Sequence, residues 1–532
     1  LSHSEHFQPR FGWALEINPR QVQVSNSLPF AENKMDVERF NPWNPEMERR
    51  KVSGKYLCAI YLLGLLATFF TNLEAVPFMS TLSMLSCCVL AQALERLWIF
   101  CLALIPIGAM MGLSTWGYLQ EAALAICVVL QIPLFLAYWA HRRLTTRHPE
   151  LWSVTLAFPC VATALWVLSF MLLPIGSTGS PAYSMAGQNL MFIQCCAWLG
   201  RSFVNFLLCW LASAGAHRLV NPKSGFAFKA SVACYFLLTL AGGLRVYADS
   251  LFMGLDFIPP GGEASEPHHI SCIAEADDMF ATTKERLAQG DTIVMHAERS
   301  TDGDDPVARY QTLLQQHFDK QNVEALMVLS FVENGLSWYH LVSRHGSQMS
   351  YAKNHPVPFV EEDISAGRSP PSVAKVTVNG APLSVTGTIC FDTDFPFLTR
   401  SLSSGDLLLE SSATWSNIGH QHLRGHQYAA VENGQTLVKC TLDGYTGAIN
   451  PYGSIVFQAP QTTGVASFEL PRVPKLTTFP LLYLGFEVIV GFAALIWILL
   501  AASPQLSIRW LGRCHLLPPG RLNESDEQLT TA

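Results

Sequence analysis

The chain has 532 residues, half of them hydrophobic and 14% charged, with a net charge of −7. An ordinary soluble enzyme carries roughly a quarter of its residues charged, so this composition excludes that class and makes a membrane protein the first expectation. No basic run or repeat of aromatic and basic residues offers a nucleic-acid surface, and a nucleic-acid partner is set aside.

Residues 1–54 are expected to be a cytoplasmic extension. They lack the n-region and apolar core of a cleavable signal, which leaves the first membrane helix as the targeting element. Seven apolar stretches then approach the roughly 20 residues that a bilayer-spanning helix needs. They lie at about 55–71, 76–94, 97–117, 121–140, 152–173, 190–214 and 227–247. An eighth, "FPLLYLGFEVIVGFAALIWILL", covers about 479–501. The expected organisation is a seven-helix membrane domain over 55–248, a catalytic domain over 249–475, a last transmembrane helix over 476–503 and a cytoplasmic tail over 504–532.

Lysine and arginine set the expected orientation, since cytoplasmic loops are enriched in them. Arg49, Arg50, Lys51 and Lys55 precede the first stretch, Arg96 follows the second, and Arg142, Arg143 and Arg147 follow the fourth. Arg218, Lys223 and Lys229 separate the sixth from the seventh, and Arg509 and Arg513 follow the eighth. The opposite connections, "TNLEAVP", "WGYLQEA" and "LPIGSTGSPAYSMAGQ", hold neither residue. Both termini are thus expected in the cytoplasm, and the large domain on the other side, in a periplasm or an organelle lumen.

Of 14 cysteines, ten fall in the apolar stretches and Cys514 in the tail, where they read as small buried hydrophobes. Cys272, Cys390 and Cys440 remain in the exported domain, and the sequence leaves open whether Cys272 and Cys440 pair. No CxxC or Cys/His spacing points to zinc. The histidines at 268–269 and in "HQHLRGHQ" (420–427) are expected as loop and helix-surface residues, with no metal and no cofactor.

The exported domain reads as alternating strands and helices. "DTIVMHAE" is a strand, "PVARYQTLLQQHFDKQN" a helix and "EALMVLSFVENG" a second buried strand. "LSWYHLVSRHGSQMSYAKNH" is a hairpin leading into a loop fixed by Pro356 and Pro358. "LSVTGTICFDTDFPFLTRSLSSG" is a strand that stops at a cysteine and becomes a helix; "DLLLESSATWS" is a strand, "HQHLRGHQYAAVENGQ" a helix, and "TLVKCTLDGYTGAINPYGSIVFQAP" a closing set of hairpins. This order predicts a layered α/β sandwich with its helices outside.

Three strand ends carry a reactive group where an apolar run stops: Glu298, Lys353 and Cys390. Backbone N–H groups at a helix start can lower a thiol pKa and receive an oxyanion. A glutamate can take the thiol proton, and a lysine can hold the charge of a tetrahedral intermediate. Taken singly, each has a plain alternative as a surface acid, a solvated lysine and a core cysteine.

Order and local sequence together shift that balance. "HAERS", "KNHPVPFVE" and "TGTICFD" resemble the Glu, Lys and Cys motifs of the nitrilase (carbon-nitrogen hydrolase) superfamily, and the expected topology resembles its apolipoprotein N-acyltransferase branch. The resemblance implies a polytopic α-helical membrane domain of about eight helices joined to an exported nitrilase-like sandwich. By the same resemblance Cys390 takes an acyl chain from a phospholipid as a thioester. It then passes the chain to an amine, the N-terminal cysteine of a lipoprotein in bacterial relatives, and Glu361 supports the triad. A membrane-tethered amidase or hydrolase using the same triad is the alternative. The sequence departs from the branch at Phe391 and Asp392, where Tyr and Glu are usual, and in "SSATWSNIG", which keeps only Ala413 and Trp415 of a longer motif. Two charges fall inside apolar stretches. Arg201, near the middle of the sixth stretch, is expected either to bind a lipid phosphate or pair within the bundle, or else to snorkel from a helix whose boundary is shifted, and Glu487 is equally open.

Overall fold

The computed structural model describes residues 53–513 apart from short segments, chiefly 72–75, most of 115–126, 255–266 and 472–474. The expected extension and most of the expected tail lie outside the described residues. Helices α1 (Gly54–Phe69), α2 (Met79–Ala93) and α3 (Leu97–Ser114) open the membrane domain, followed by α4 (Gln131–Arg147), α5 (Ala157–Leu172), α6 (Cys196–Val220) and α7 (Phe226–Gly254). After the α/β domain come α13 (Pro480–Ala502) and α14 (Pro504–Arg513).

Eight spans were expected. Among the described residues four helices are long and apolar enough to cross a membrane: Trp152–Leu172, Cys196–Val220, Phe226–Tyr247 and Pro480–Ala502. Three shorter apolar helices cover Gly54–Phe69, Met79–Ala93 and Leu97–Leu113. The expected 121–140 span falls partly outside the described residues, and α4 starts ten residues later and runs into the polar "HRRLTTR". The expected 190–214 span is also displaced. The chain makes one helical turn at Leu190–Ile193, capped by the Asn189 side chain, and the long helix begins only at Cys196, with a kink at Gly200.

The α/β domain is two six-stranded sheets. One runs β12-β1-β2-β3-β4-β5 and the other β11-β10-β9-β8-β7-β6. Its strands are β1 (His268–Glu275), β2 (Ile293–His296), β3 (Leu326–Glu333), β4 (Leu336–Ser343), β5 (Gly346–Ala352), β6 (Val373–Val378), β7 (Ala381–Ile389), β8 (Leu407–Ala413), β9 (Thr436–Leu442), β10 (Gly444–Ile449), β11 (Ile455–Gln461) and β12 (Gly464–Leu470). In each sheet three neighbours are parallel, β1-β2-β3 and β7-β8-β9, and the flanking strands are antiparallel. Parallel strands buried on both faces read as continuous apolar runs, as "IVM" of β2 and "LLL" of β8 do.

The sheets pack face to face. Ile270, Met295 and Val328 of one meet Ile389, Leu409 and Val438 of the other. Helices α8 (Met279–Ala288) and α9 (Pro306–Gln321) cover the first sheet with Leu287, Tyr310 and Leu314. The second is covered by α11 (Gly419–Gly425) and α12 (Gln427–Asn433) through Leu423, Ala429 and Ala430. The layered sandwich is therefore as expected. The expected loop at 268–269 is instead the start of β1, which pairs with both β12 and β2.

Cys272 of β1 and Cys440 of β9 are disulfide-bonded across the two sheets. The bond closes a loop of 168 residues. Replacing both cysteines by serine is expected to lower stability by about 2–4 kcal/mol. A thermal unfolding scan with and without reductant checks this, and reductant is expected to lower the wild-type midpoint while leaving the double variant unchanged.

Candidate active site

The two sheets meet at the C-terminal ends of β2 and β8. The Glu298 N–H donates to Ser412 O at 3.1 Å, and Ser411 Oγ donates to His296 O at 2.7 Å. This stitching carries Glu298 out of its own sheet to the rim of the other. Lys353 directly follows β5, its N–H donating to Ser337 O at 2.8 Å. Its carbonyl receives the Gly367 N–H at 2.7 Å, so the Pro-rich loop returns to where it started. Gly367 permits that closure, because a Cβ there would lie 2.3 Å from Ala352 O. Cys390 directly follows β7 and opens the 3₁₀ turn Cys390–Asp394 with φ +46°, a left-handed conformation that a residue with a Cβ adopts only where the surroundings enforce it.

The structure brings Glu298, Lys353 and Glu361 into direct contact. Lys353 Nζ lies 2.8 Å from Glu298 Oε1 and 2.8 Å from Glu361 Oε2, and it is fully buried. Arg299 Nη2 donates to Glu361 Oε1 at 2.6 Å, and the Val357 N–H donates to Oε2 at 2.7 Å. Ala413 joins the nucleophile candidate to this group: its carbonyl accepts from Cys390 Sγ at 3.3 Å while its N–H donates to Glu298 Oε2 at 3.1 Å. Beyond Glu361, Asp363 Oδ2 lies 3.9 Å from Arg299 Nη1.

Burial and charge act against each other here. Burial alone would lower the Lys353 pKa, but Glu298, Cys390 and Glu361 overcome it and hold the ammonium well above its ordinary range. Burial raises the Glu298 pKa, opposed by Lys353 and reinforced by Glu361. Burial, then the Glu298 charge, pushes the Cys390 thiol up to about 12 against the pull of Lys353 and Lys439. The resting cysteine is thus a thiol that needs a base. At pH 7 a thiol of that pKa is ionised to a fraction of only about 10⁻⁵. Iodoacetamide alkylation of Cys390 in the resting protein is therefore expected to accelerate about tenfold per pH unit from 7 to 10. A rate already level near pH 7 would mean a preformed thiolate.

Sequence reasoning marked Asp392 only as a departure from the branch and missed what it binds. Its buried carboxylate accepts the N–H groups of Asn354 at 3.0 Å and His355 at 2.8 Å and pairs with His355 Nδ1 at 2.7 Å. It thereby ties the cysteine turn to the lysine loop. The signal available was an acid two residues after the cysteine. Beside it Phe391, Phe395, Leu398 and Val357 form a small apolar cluster against which Trp415 packs.

The expectation of surface histidines at 420–427 is overturned. His426 sits at the junction of two short helices and is 1% exposed, with Nδ1 2.7 Å from Glu410 Oε2. Lys439 Nζ donates to Glu410 Oε1 at 2.7 Å, to Ser412 Oγ at 3.0 Å and to His422 Nδ1 at 2.9 Å. That donation puts the His422 hydrogen on Nε2, facing Asp394 Oδ2 at 3.3 Å. Asp394, His422 and His426 bring ligand-type atoms within 4.8 Å of one another, but the ammonium and the carboxylates already pair them, and the group is an internal charge network. Burial depresses the His422 pKa to about 4, with Lys439 and His426 adding to it. Among the described residues these are the metal-ligand types that gather.

Arg201 is buried in contact with the α/β domain. Its Nη2 lies 2.9 Å from Glu432 Oε2, Nε donates to the same oxygen at 3.0 Å, and Nη1 donates to Ser177 Oγ at 2.6 Å. With α6 starting at Cys196, Arg201 stands in the first turns of the helix and not at its middle.

No protein-family model matches the chain. The apolipoprotein N-acyltransferase of Pseudomonas paraeruginosa is 36% identical over 122 residues, covering 21% of this chain and 23% of that protein. Those of Pseudomonas syringae pv. tomato and Shewanella oneidensis are 37% identical over 97 residues and 36% over 118, covering 17% and 20% of this chain and 19% and 23% of theirs. The chain is similar to the apolipoprotein N-acyltransferases. The match spans about a quarter of the length of these curated relatives. Among solved structures, an amidase from Nesterenkonia sp. is 18% identical with a TM-score of 0.32, covering 40% of this chain and 92% of that one. A CN-hydrolase superfamily protein from Xanthomonas campestris is 15% identical with a TM-score of 0.31, covering 39% and 91%. Against the apolipoprotein N-acyltransferase branch, the departure at Asp392 falls on the residue that ties the cysteine turn to the lysine loop.

Proposed function

We propose that this protein is a membrane acyltransferase that moves an acyl chain from a phospholipid through a Cys390 thioester to an amine, the N terminus of a lipoprotein being the acceptor that its relatives' name suggests. The observation that carries the reading is a fully buried lysine held between two carboxylates, one of them sharing Ala413 with a left-handed cysteine, in a chain rich in apolar helices.

In the first step Glu298 takes the Cys390 proton as the sulfur adds to the ester carbonyl. Lys353 holds the negative charge that develops on the carbonyl oxygen. Collapse breaks the acyl–oxygen bond, Glu298 returns the proton to the departing glycerol oxygen, and a lysophospholipid leaves. An amine then adds to the thioester carbonyl, loses its proton to Glu298, and expels the Cys390 thiolate, which is reprotonated. One covalent intermediate lets two large lipid substrates use one site in turn. Leaving the acyl chain in the bilayer matters because exposing it costs roughly 0.8 kcal/mol per CH₂. Glu361 keeps Lys353 charged and centred.

We place the catalytic domain on the non-cytoplasmic side. The lysine and arginine distribution supports this, and so does a disulfide in its core, since such bonds persist in oxidising compartments.

The deciding experiment incubates the purified full chain with phospholipid labelled in its acyl chain, with and without an amine acceptor. A labelled Cys390 peptide that passes its label to the amine supports the reading. Release of free fatty acid at the same rate whether or not amine is present would assign a hydrolase instead, and a label on no cysteine would end both.

A further inference from the structure

We infer that Glu487, in the last apolar helix, is a positioning residue for Cys390, fixing the nucleophile relative to the bilayer through Arg400; this rests on the acyl-transfer reading above. Glu487 is the single charge in α13. A carboxylate in such a helix is costly unless paired, and by default marks a functional position. Its partner comes from the α/β domain. Arg400 Nη1 donates to Glu487 Oε2 at 3.0 Å and Nη2 to Oε1 at 2.9 Å, a two-pronged grip. Ser202 Oγ of α6 adds a third hydrogen bond to Oε1 at 2.7 Å.

Arg400 lies on α10 (Pro396–Ser401), the short helix that continues the turn opened by Cys390. Its Nη2 also stands 3.9 Å from Glu432 Oε1, and Glu432 in turn pairs with Arg201. Four alternating charges thus run from one membrane helix to another through the α/β domain: Arg201, Glu432, Arg400 and Glu487. Gly200, with φ +73°, leaves the space that Arg400 occupies, since a Cβ there would lie 2.9 Å from Nη2. The other end of the nucleophile segment is gripped as well. The Asp394 carbonyl accepts the Ser177 N–H at 2.8 Å, and its carboxylate accepts the Tyr183 hydroxyl, both from the connection that precedes α6. The membrane helices and their connections therefore hold the segment 394–400, which continues the turn opened by Cys390, at both ends.

An acyl chain that stays in the bilayer presents its ester carbonyl at a fixed depth. The cysteine must meet it there, and a misplacement of about 1 Å can cost on the order of 10²-fold in rate. A short, water-soluble acyl donor diffuses to the sulfur from solution and has no such constraint. Loosening the Glu487 grip should therefore separate the two donors, which a general loss of folding would not do.

The test uses the full chain in nanodiscs of phosphatidylethanolamine and phosphatidylglycerol and follows Cys390 acylation by mass spectrometry. The donors are the nanodisc phospholipid and the butyryl thioester of N-acetylcysteamine. Glu487→Gln is expected to slow acylation from phospholipid on the order of 10²-fold while changing butyryl transfer by less than about twofold. Arg400→Lys, which keeps the charge but loses the planar fork, should move in the same direction. It decides the matter alone if Glu487→Gln is recovered unfolded. Equal slowing with both donors would show a structural role only and overturn the inference, as would no slowing with either. A wild-type protein that forms no thioester from phospholipid would instead sink the acyl-transfer reading itself, whereas a wild type that acylates at the same rate as both variants sinks only this inference.

Discussion

Cys390→Ala is expected to abolish acyl-thioester formation while leaving folding and membrane insertion intact. The hydrogen bond from the sulfur to Ala413 O is weak, and the side chain is small, so its removal costs little packing. Chemically nothing replaces it. The remaining cysteines of the α/β domain, Cys272 and Cys440, are joined in a disulfide and are not nucleophiles. Cys390→Ser keeps a hydroxyl in place, but a serine here has only Glu298 to deprotonate it, and Glu298 is itself held back by burial and by its pairing to Lys353. Mass spectrometry of the peptide containing residue 390, after incubation with labelled phospholipid, reads the outcome directly. Label retained by the alanine variant, on any cysteine, would remove Cys390 from the role.

Several features of this fold and site were legible in the sequence for identifiable reasons. Each of Glu298, Lys353 and Cys390 stands where an apolar run stops, and a strand that stops at the sheet rim delivers its next residue to solvent or to a site. The two prolines of the 353–361 loop marked it as fixed, and Glu361 does return to Lys353. What could not be read were pairings set by tertiary structure. Glu432 and Arg201 are 231 residues apart, and each alone reads as a surface acid and a misplaced charge. His426 reads as helix surface because the segment has helical composition throughout, yet the helix breaks at that residue and turns it inward to Glu410. The apolar stretch 190–214 hid a boundary, because Asn189 and Gln194 cap and terminate a turn within a run that hydropathy alone joins. Hydropathy measures how apolar a segment is; where a helix begins depends on which backbone groups find partners.

The apolar helices and the α/β domain share their most polar contacts. The buried charges of α6 and α13 are paired with groups of the α/β domain, and the connection before α6 bonds to the turn after Cys390. Charges this costly to bury persist where each partner needs the other. This arrangement suits the acyl transfer proposed above, in which the reacting carbonyl belongs to a lipid.

Lys353→Ala should have the second largest effect, and it tests the centre of the site. The ammonium stands between Glu298 and Glu361 at 2.8 Å from each, with no exposure to solvent. Removing it does two things. It takes away the donor that, in the proposed mechanism, meets the developing oxyanion, a loss that typically lowers the rate on the order of 10²–10³-fold. It also leaves two carboxylates buried near each other with only Arg299 for compensation, a situation that commonly costs about 3–5 kcal/mol of stability unless one of them takes up a proton. Glu298 is the group whose pKa then rises further, because Lys353 is what opposes the effect of its burial. A protonated Glu298 cannot accept the thiol proton, so the two losses compound in the acylation step and not in lipid binding. Lys353→Arg is not expected to rescue the rate, since a planar guanidinium needs room that a fully enclosed point charge does not have. Single-turnover acylation of Cys390, measured beside phospholipid binding and thermal stability for both variants, separates these contributions. Acylation within a few fold of wild type in Lys353→Ala would show that the lysine only orders its loop, and the role assigned to Glu298 and Cys390 would have to be rebuilt without it.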